Sequence, residues 1–199
     1  MMQKMGLLDQ LRALPSMVRL SPQQQYFFSL LPCGMPKAGL VEFSGASGAG
    51  KTESILYFLN ENPNLEVAWI EKEFTIHPPA FSHFKVALDR VLFIDTSSPG
   101  FKQTPFWCAS QILKSRLFQV LVISHIEFSE IDFRRFQLAA KQYGVLVILL
   151  RVEPLLANSW SVVLQVQVKR AENLDCPRLK VLKSKGFSVW NSGEVVVEH

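Results

Sequence analysis

Gly39-Leu40-Val41-Glu42-Phe43-Ser44-Gly45-Ala46-Ser47-Gly48-Ala49-Gly50-Lys51-Thr52 is the stretch on which the fold turns. Leu40 to Ser44 reads as a brief apolar strand, and the last eight residues fit G-x-x-x-x-G-K-[ST]. Glycines let the backbone curl so that successive N–H groups point inward at phosphate oxygens. Lys51 can reach the β- and γ-phosphates and the Thr52 hydroxyl can ligate Mg²⁺. A helix starting at Lys51 aims its positive dipole end at the same anion. The spacing predicts that helix, with Ile55, Leu56 and Leu59 on one face and Asn62-Pro63-Asn64 closing it. Gly45, Ala46, Ser47, Gly48, Ala49, Gly50, Lys51 and Thr52 are therefore the predicted phosphate cradle, with ATP and Mg²⁺ as ligands. The bland alternative, a Gly-rich turn that happens to precede Lys-Thr, lacks a reason for the strand before and the amphipathic helix after.

Outward from this loop, strands and helices alternate. Leu65 to Ile70, Arg90 to Ile94, Val120 to Ile123 and Val145 to Leu150 are strand-length apolar runs. Thr104-Pro105 is a hydroxyl cap followed by a first-turn proline, opening a helix with Phe106, Ala109, Leu113 and Leu117 on one face. Ser129 and Asp132 have capping-box spacing, and the helix they open carries Phe133, Phe136, Ala140 and Tyr143 on one stripe. Strands that are apolar throughout, rather than alternating, belong to a parallel sheet covered on both faces. In the last third, Val162, Leu164, Val166 and Val168 alternate with more polar neighbours, and Arg178 to Lys185 forms another short strand. Two strands with no helix between them predict an antiparallel extension. The fold class is thus α/β, a mainly parallel sheet with helices on both faces and an antiparallel C-terminal extension. Residues 1–20, with Leu7, Leu8, Leu11 and Leu14 on a weak amphipathic helix, read as an arm, and 21–199 as a single domain.

Of the 199 residues, 48% are apolar and 19% charged, which excludes a disordered or collagen-like chain. The 21 Lys and Arg against 17 Asp and Glu permit anionic partners without demanding them. Cys33, Cys108 and Cys176 are scattered, with no metal-ligand spacing, and fit a reduced, cytoplasmic setting. The longest apolar run stops at Gly144 and Arg151, far short of a membrane span of ~20 residues. The polar residues Gln3, Lys4, Asp9, Gln10 and Arg12 exclude the apolar core of a secretory signal. No Ser-His-Asp arrangement is visible.

A nucleotide hydrolase needs a carboxylate for Mg²⁺ at the end of a buried strand, and usually a second one to polarise water. Asp95, after Val91-Leu92-Phe93-Ile94, wins on local pattern. Ser124, after Val120-Leu121-Val122-Ile123, wins on position, and could reach Mg²⁺ through a water, though a hydroxyl is the poorer ligand. Glu71 and Glu73 flank the end of another strand, and either could face the γ-phosphate or belong to a surface cluster. On the basic strand, two-residue alternation continues the face of Leu179 and Val181 through Lys183 and Lys185. These lysines are either a snorkelling strand end or an anion site.

Gly39 to Thr52, Ala68-Trp69-Ile70-Glu71-Lys72-Glu73 and Arg178 to Lys185 together resemble the RecA superfamily. The resemblance implies a RecA-like P-loop NTPase core, Glu73 as the catalytic base, and Lys183 and Lys185 reaching a neighbouring subunit's ATP. Leu31-Pro32-Cys33-Gly34, Pro36-Lys37-Ala38-Gly39-Leu40 and Arg134-Arg135-Phe136-Gln137-Leu138-Ala139-Ala140 resemble the ImuA-type branch, RecA-like accessory proteins of error-prone lesion bypass. That branch implies a Y-family polymerase-like partner, an error-prone replicative-type polymerase, RecA, and possible self-association. On this mapping Val120 to Ile123 is the Walker B strand, with Ser124 in place of its Asp. This implies nucleotide binding with weak or absent hydrolysis. Arg151 lies near the family's γ-phosphate-sensing Gln. The connections His125 to Glu130 and Val152 to Ser159 are near the usual length for α/β units, too short to wrap a nucleic-acid strand, so direct DNA binding is expected to be weak or indirect. The alternatives are an active ATPase stimulated by DNA or a partner, and an interaction module with a vestigial loop.

Overall fold

The computed structural model describes residues 24–31, 33–73, 75–98, 103–155, 161–170 and 177–185. The arm over 1–20, Cys176, Trp160 and Trp190 lie outside these. In chain order come β1 (Gln25–Tyr26), β2 (Met35–Pro36), β3 (Gly39–Ser44), α1 (Lys51–Glu61), β4 (Val67–Glu71), α2 (Pro78–His83) and β5 (Val91–Asp95). They are followed by α3 (Pro105–Ser115), β6 (Val120–Ser124), α4 (Glu130–Tyr143), β7 (Leu146–Arg151), β8 (Leu164–Arg170) and β9 (Pro177–Ser184).

Seven strands form one sheet in the order β5-β4-β6-β7-β3-β8-β9. Every neighbouring pair is parallel except β8–β9, so the expected antiparallel extension is present. β3 lies inside the sheet, buried at every residue, and this explains its lack of polar alternation. One face packs Val41 and Phe43 against Ile55, Leu56, Phe58 and Leu59 of α1. The other packs Leu40 and Val147 against α3 and α4 through Ala109, Leu113, Phe133 and Phe136. The two helix caps read from the sequence form: the Thr104 hydroxyl accepts from Trp107 N at 3.1 Å, and the Ser129 hydroxyl from Asp132 N at 3.2 Å.

Several expectations need correction. α3 stops at Ser115 because Arg116 turns left-handed (φ 56°), so Leu117 leaves the helical stripe and is 68% exposed. β8 is counted from Leu164, later than the alternation from Ser161 suggests, although Val163 N already donates to the Leu40 carbonyl and the Val163 carbonyl accepts from Lys185 N, each at 2.8 Å. The β1–β2 hairpin and α2 carry no strong periodicity. α2 is ordered by tertiary packing, with Phe81 against Trp69 at 5.7 Å between ring centroids. The alternation argument for β9 fails at Leu182. Val181 pairs with Val166, but Lys183 pairs with Gln165, so Leu182 is an extra residue in the ladder. This β-bulge transfers Lys183 to the opposite face from Leu179 and Val181.

Candidate nucleotide-binding site

The loop between β3 and α1 is closed and locally held. Lys51 Nζ donates back to the carbonyls of Gly45 (2.5 Å) and Ala46 (2.8 Å), so the side chain bridges the start of the loop from its end. Burial lowers the Lys51 amine below its ordinary 10.5, as expected of a charge removed from water without a carboxylate partner. α1 has no side-chain cap, and the amides of its first turn point toward the loop, the arrangement that favours an anion. Gly50 must be glycine: its φ of 95° is left-handed, and a Cβ there would meet Pro177 Cβ at 2.8 Å. A Cβ on Gly45 would run into the carbonyl of Val168. Both contacts come from the β8–β9 hairpin, which is pressed against the loop. Arg170 of β8 also pairs with Glu53 in the first turn of α1 at 3.5 Å, offsetting the acid closest to where phosphate would sit.

The strand tips around the loop differ in chemistry. β7 lies beside β3, and the N–H of Gly45 donates to the carbonyls of Arg151 (3.2 Å) and Val152 (3.1 Å). β6 is the next strand out and ends in Ser124, 2% exposed. Asp95 is excluded from this neighbourhood. β5 is the sheet edge, four strands from β3, or about 19 Å at the usual strand spacing. The Asp95 carboxylate accepts from the Ser97 and Ser98 hydroxyls and is held below the usual range by the Ser97 side chain first.

The two glutamates beyond β4 separate. Glu71 is 3% exposed and accepts from Trp69 Nε1 (3.2 Å), Thr75 N (2.9 Å) and Ile76 N (3.1 Å), so its carboxylate ties down the chain after β4. Glu73 is exposed and open to solvent. His125, just beyond Ser124, is exposed and left-handed (φ 56°).

Lys183 and Lys185 are not brought to the loop of their own chain. β9 runs antiparallel, so its start, Pro177, abuts Gly50 while its end lies lower in the sheet. Lys183 faces Gln165, which faces Glu42 two residues before the strand end. Glu42 is fully buried in β3 and was missed from the sequence, although a carboxylate inside an apolar run is a signal in itself. It accepts from Leu155 N and Gln165 Nε2, each at 2.7 Å, and so fastens the connection after β7 to the sheet. Burial lowers the Lys183 amine while Glu42 opposes that shift. Burial, then Lys183 and Lys141, lower that of Lys185.

Thr52 and Ser124 are the donors that the loop and the β6 tip offer to a metal. Both are neutral hydroxyls. Mg²⁺ is normally held through a carboxylate plus phosphate oxygens. Among the described residues no three His, Cys, Asp or Glu side chains gather into a metal site. The donor set does not fit a resident Mg²⁺.

Strand order, closed loop and covered parallel sheet define a RecA-like P-loop core. The solved structure of the RadB recombinase superposes with a TM-score of 0.58 at 13% identity, covering 82% of this chain and 87% of that chain. No protein-family model matches the chain, and no curated protein does. Among the described residues no helix is long and apolar enough to cross a membrane.

Proposed function

We propose that this protein is a nucleotide-binding accessory factor of the DNA-damage response, in which ATP on residues 45–52 is a structural ligand or slow switch. The observation that carries this reading is the pairing of a pre-closed glycine-rich loop with a buried serine, Ser124, at the β6 tip. Gly45 to Thr52 hold the phosphates, and Lys51 exchanges its two carbonyl partners for phosphate oxygens. Were the nucleotide to bring Mg²⁺ with it, Thr52, and Ser124 through a water, are the groups that ion would meet, and neither is a carboxylate. Hydrolysis is weak or absent.

The ImuA-type likeness extends the proposal to lesion bypass. Partners would be a Y-family-like protein, an error-prone polymerase and RecA, with self-association as a further mode. Its support is the Arg134 to Ala140 helix segment, which leaves Arg134 and Leu138 exposed on α4. The short connection 125–129 supports weak or indirect DNA contact and no strand exchange by the protein alone. A second reading, an active ATPase, rests on Glu73: with Glu71 committed to the chain after β4, Glu73 is the open carboxylate there. Lys183 and Lys185 would act on a neighbouring copy's nucleotide.

Titration calorimetry with ATP, with Lys51→Ala as control, tests the site. Turnover with and without single-stranded DNA separates the two readings. Binding without turnover is expected. Turnover that Glu73→Gln abolishes would favour the second reading, and absence of wild-type binding would reject both.

A further inference from the structure

Resting on the nucleotide-site reading, we infer that this loop takes a nucleoside triphosphate without a divalent cation, with Lys51 and Arg151 together supplying the counter-charge that a metal ordinarily brings. A carboxylate at a strand tip beside a phosphate loop repels the phosphates unless a metal stands between them. Here the buried strand tips beside the loop offer no free acid, and the carboxylates left uncommitted, Glu73 and Glu153, are exposed and screened by water. The β6 tip carries the neutral Ser124, Glu71 is enclosed by its own loop, and Glu53 is paired with Arg170.

A cation appears where the acid has been lost. β7 lies between β6 and β3, and its last residue is Arg151. The Arg151 backbone carbonyl already receives the first amide of the loop. Among the described residues its guanidinium has no carboxylate partner. It rests 5.7 Å from the Phe133 ring centroid and donates from Nε to the Glu153 carbonyl at 3.3 Å, a long bond on an exposed side. A change of rotamer at the strand tip releases it. A guanidinium keeps its charge at any working pH, and its planar fork matches two phosphate oxygens. Ligands of parallel sheets sit at the carboxyl ends of the strands, where Ser44, Ser124 and Arg151 converge.

The test is ATP affinity of the full chain by calorimetry, in excess EDTA and in excess MgCl₂. The two dissociation constants should agree within about twofold, and Arg151→Gln should weaken binding about tenfold in both buffers, the loss of one charge-assisted contact. Ser124→Asp should weaken binding in EDTA and restore it in MgCl₂. Wild-type binding that requires MgCl₂ overturns the inference while leaving the nucleotide site intact. Unchanged affinity in Arg151→Gln removes the arginine from it. Absence of binding in both buffers overturns the nucleotide site and this inference with it. The wild-type comparison needs no variant, so it decides the metal question whether or not the substituted chains fold.

Discussion

The tip of β3 and the tips of β4 and β6 stand at the same end of one sheet, yet they have been put to different uses. At β3 the parts are those an anion site would need: left-handed Gly50, a lysine stitched across the loop, a helix with no side-chain cap. At β4 and β6 the two tip side chains are buried and serve the sheet, while Glu73 beyond β4 is exposed. Glu71 organises the chain that follows it, and position 124 is a buried serine. On the proposed reading, gripping phosphate and breaking it would fall to different strands, so one could persist without the other. Phosphate binding needs local backbone geometry, whereas hydrolysis needs side chains from several strands to converge.

The comparison breaks most visibly if its two halves exchange behaviour on mutation. Lys51→Ala removes the charge aimed at the phosphates, and nucleotide binding should fall by about 3 kcal/mol, more than a hundredfold, with little change in urea stability. Calorimetry and a urea melt on the same sample check both halves. Glu71→Ala should do the reverse. It leaves the Trp69 indole N–H and the Ile76 amide buried without an acceptor, so unfolding should become easier by about 2–3 kcal/mol while ATP affinity holds. Loss of affinity in Glu71→Ala would mean that the β4 tip belongs to the nucleotide site after all.

The same division explains what the sequence discloses. The glycine-rich turn between β3 and α1, the α1 stripe and the caps at Thr104 and Ser129 were legible because each depends on residues a few positions apart. Where Asp95 and Ser124 lie relative to that turn was not, since strand order sets it: β5 is the edge and β6 an inner strand. The bulge at Leu182 was illegible for a similar reason. Register between β8 and β9 is set by which side chains the core accepts, and one extra residue inverts the face of everything after it. Glu71 and Glu73 differ by two positions along the chain, and only the turn back to Thr75 and Ile76 shows which one is enclosed.

Gly50→Ala sharpens the comparison from the loop side at smaller cost. A Cβ at φ 95° and 2.8 Å from Pro177 Cβ strains both the loop and the hairpin behind it, so stability should fall by roughly 1–2 kcal/mol. ATP affinity should fall with it, because the amides downstream of Gly50 lose their aim. A thermal melt paired with calorimetry reads both. An alanine that lowered stability alone would show that the hairpin buttresses the fold and not the anion site.

The smallest effect expected is a pH dependence of opposite sign in the free and bound protein. The Lys51 amine lies below 10.5 in the folded chain because burial disfavours its charge. Between that lowered value and 10.5 the unfolded chain binds more protons than the folded one, so Lys51's contribution to stability rises as pH increases through this window and is lost as pH falls below it. Nucleotide acts in the other direction. Phosphate oxygens favour the charged amine, so binding takes up a fraction of a proton and affinity declines as pH climbs toward 10.5. Calorimetry in buffers of different ionisation heat detects that uptake directly, and Lys51→Ala should abolish it. Proton uptake that survives the substitution would place the titrating group elsewhere and loosen the link between the stitched lysine and the phosphates.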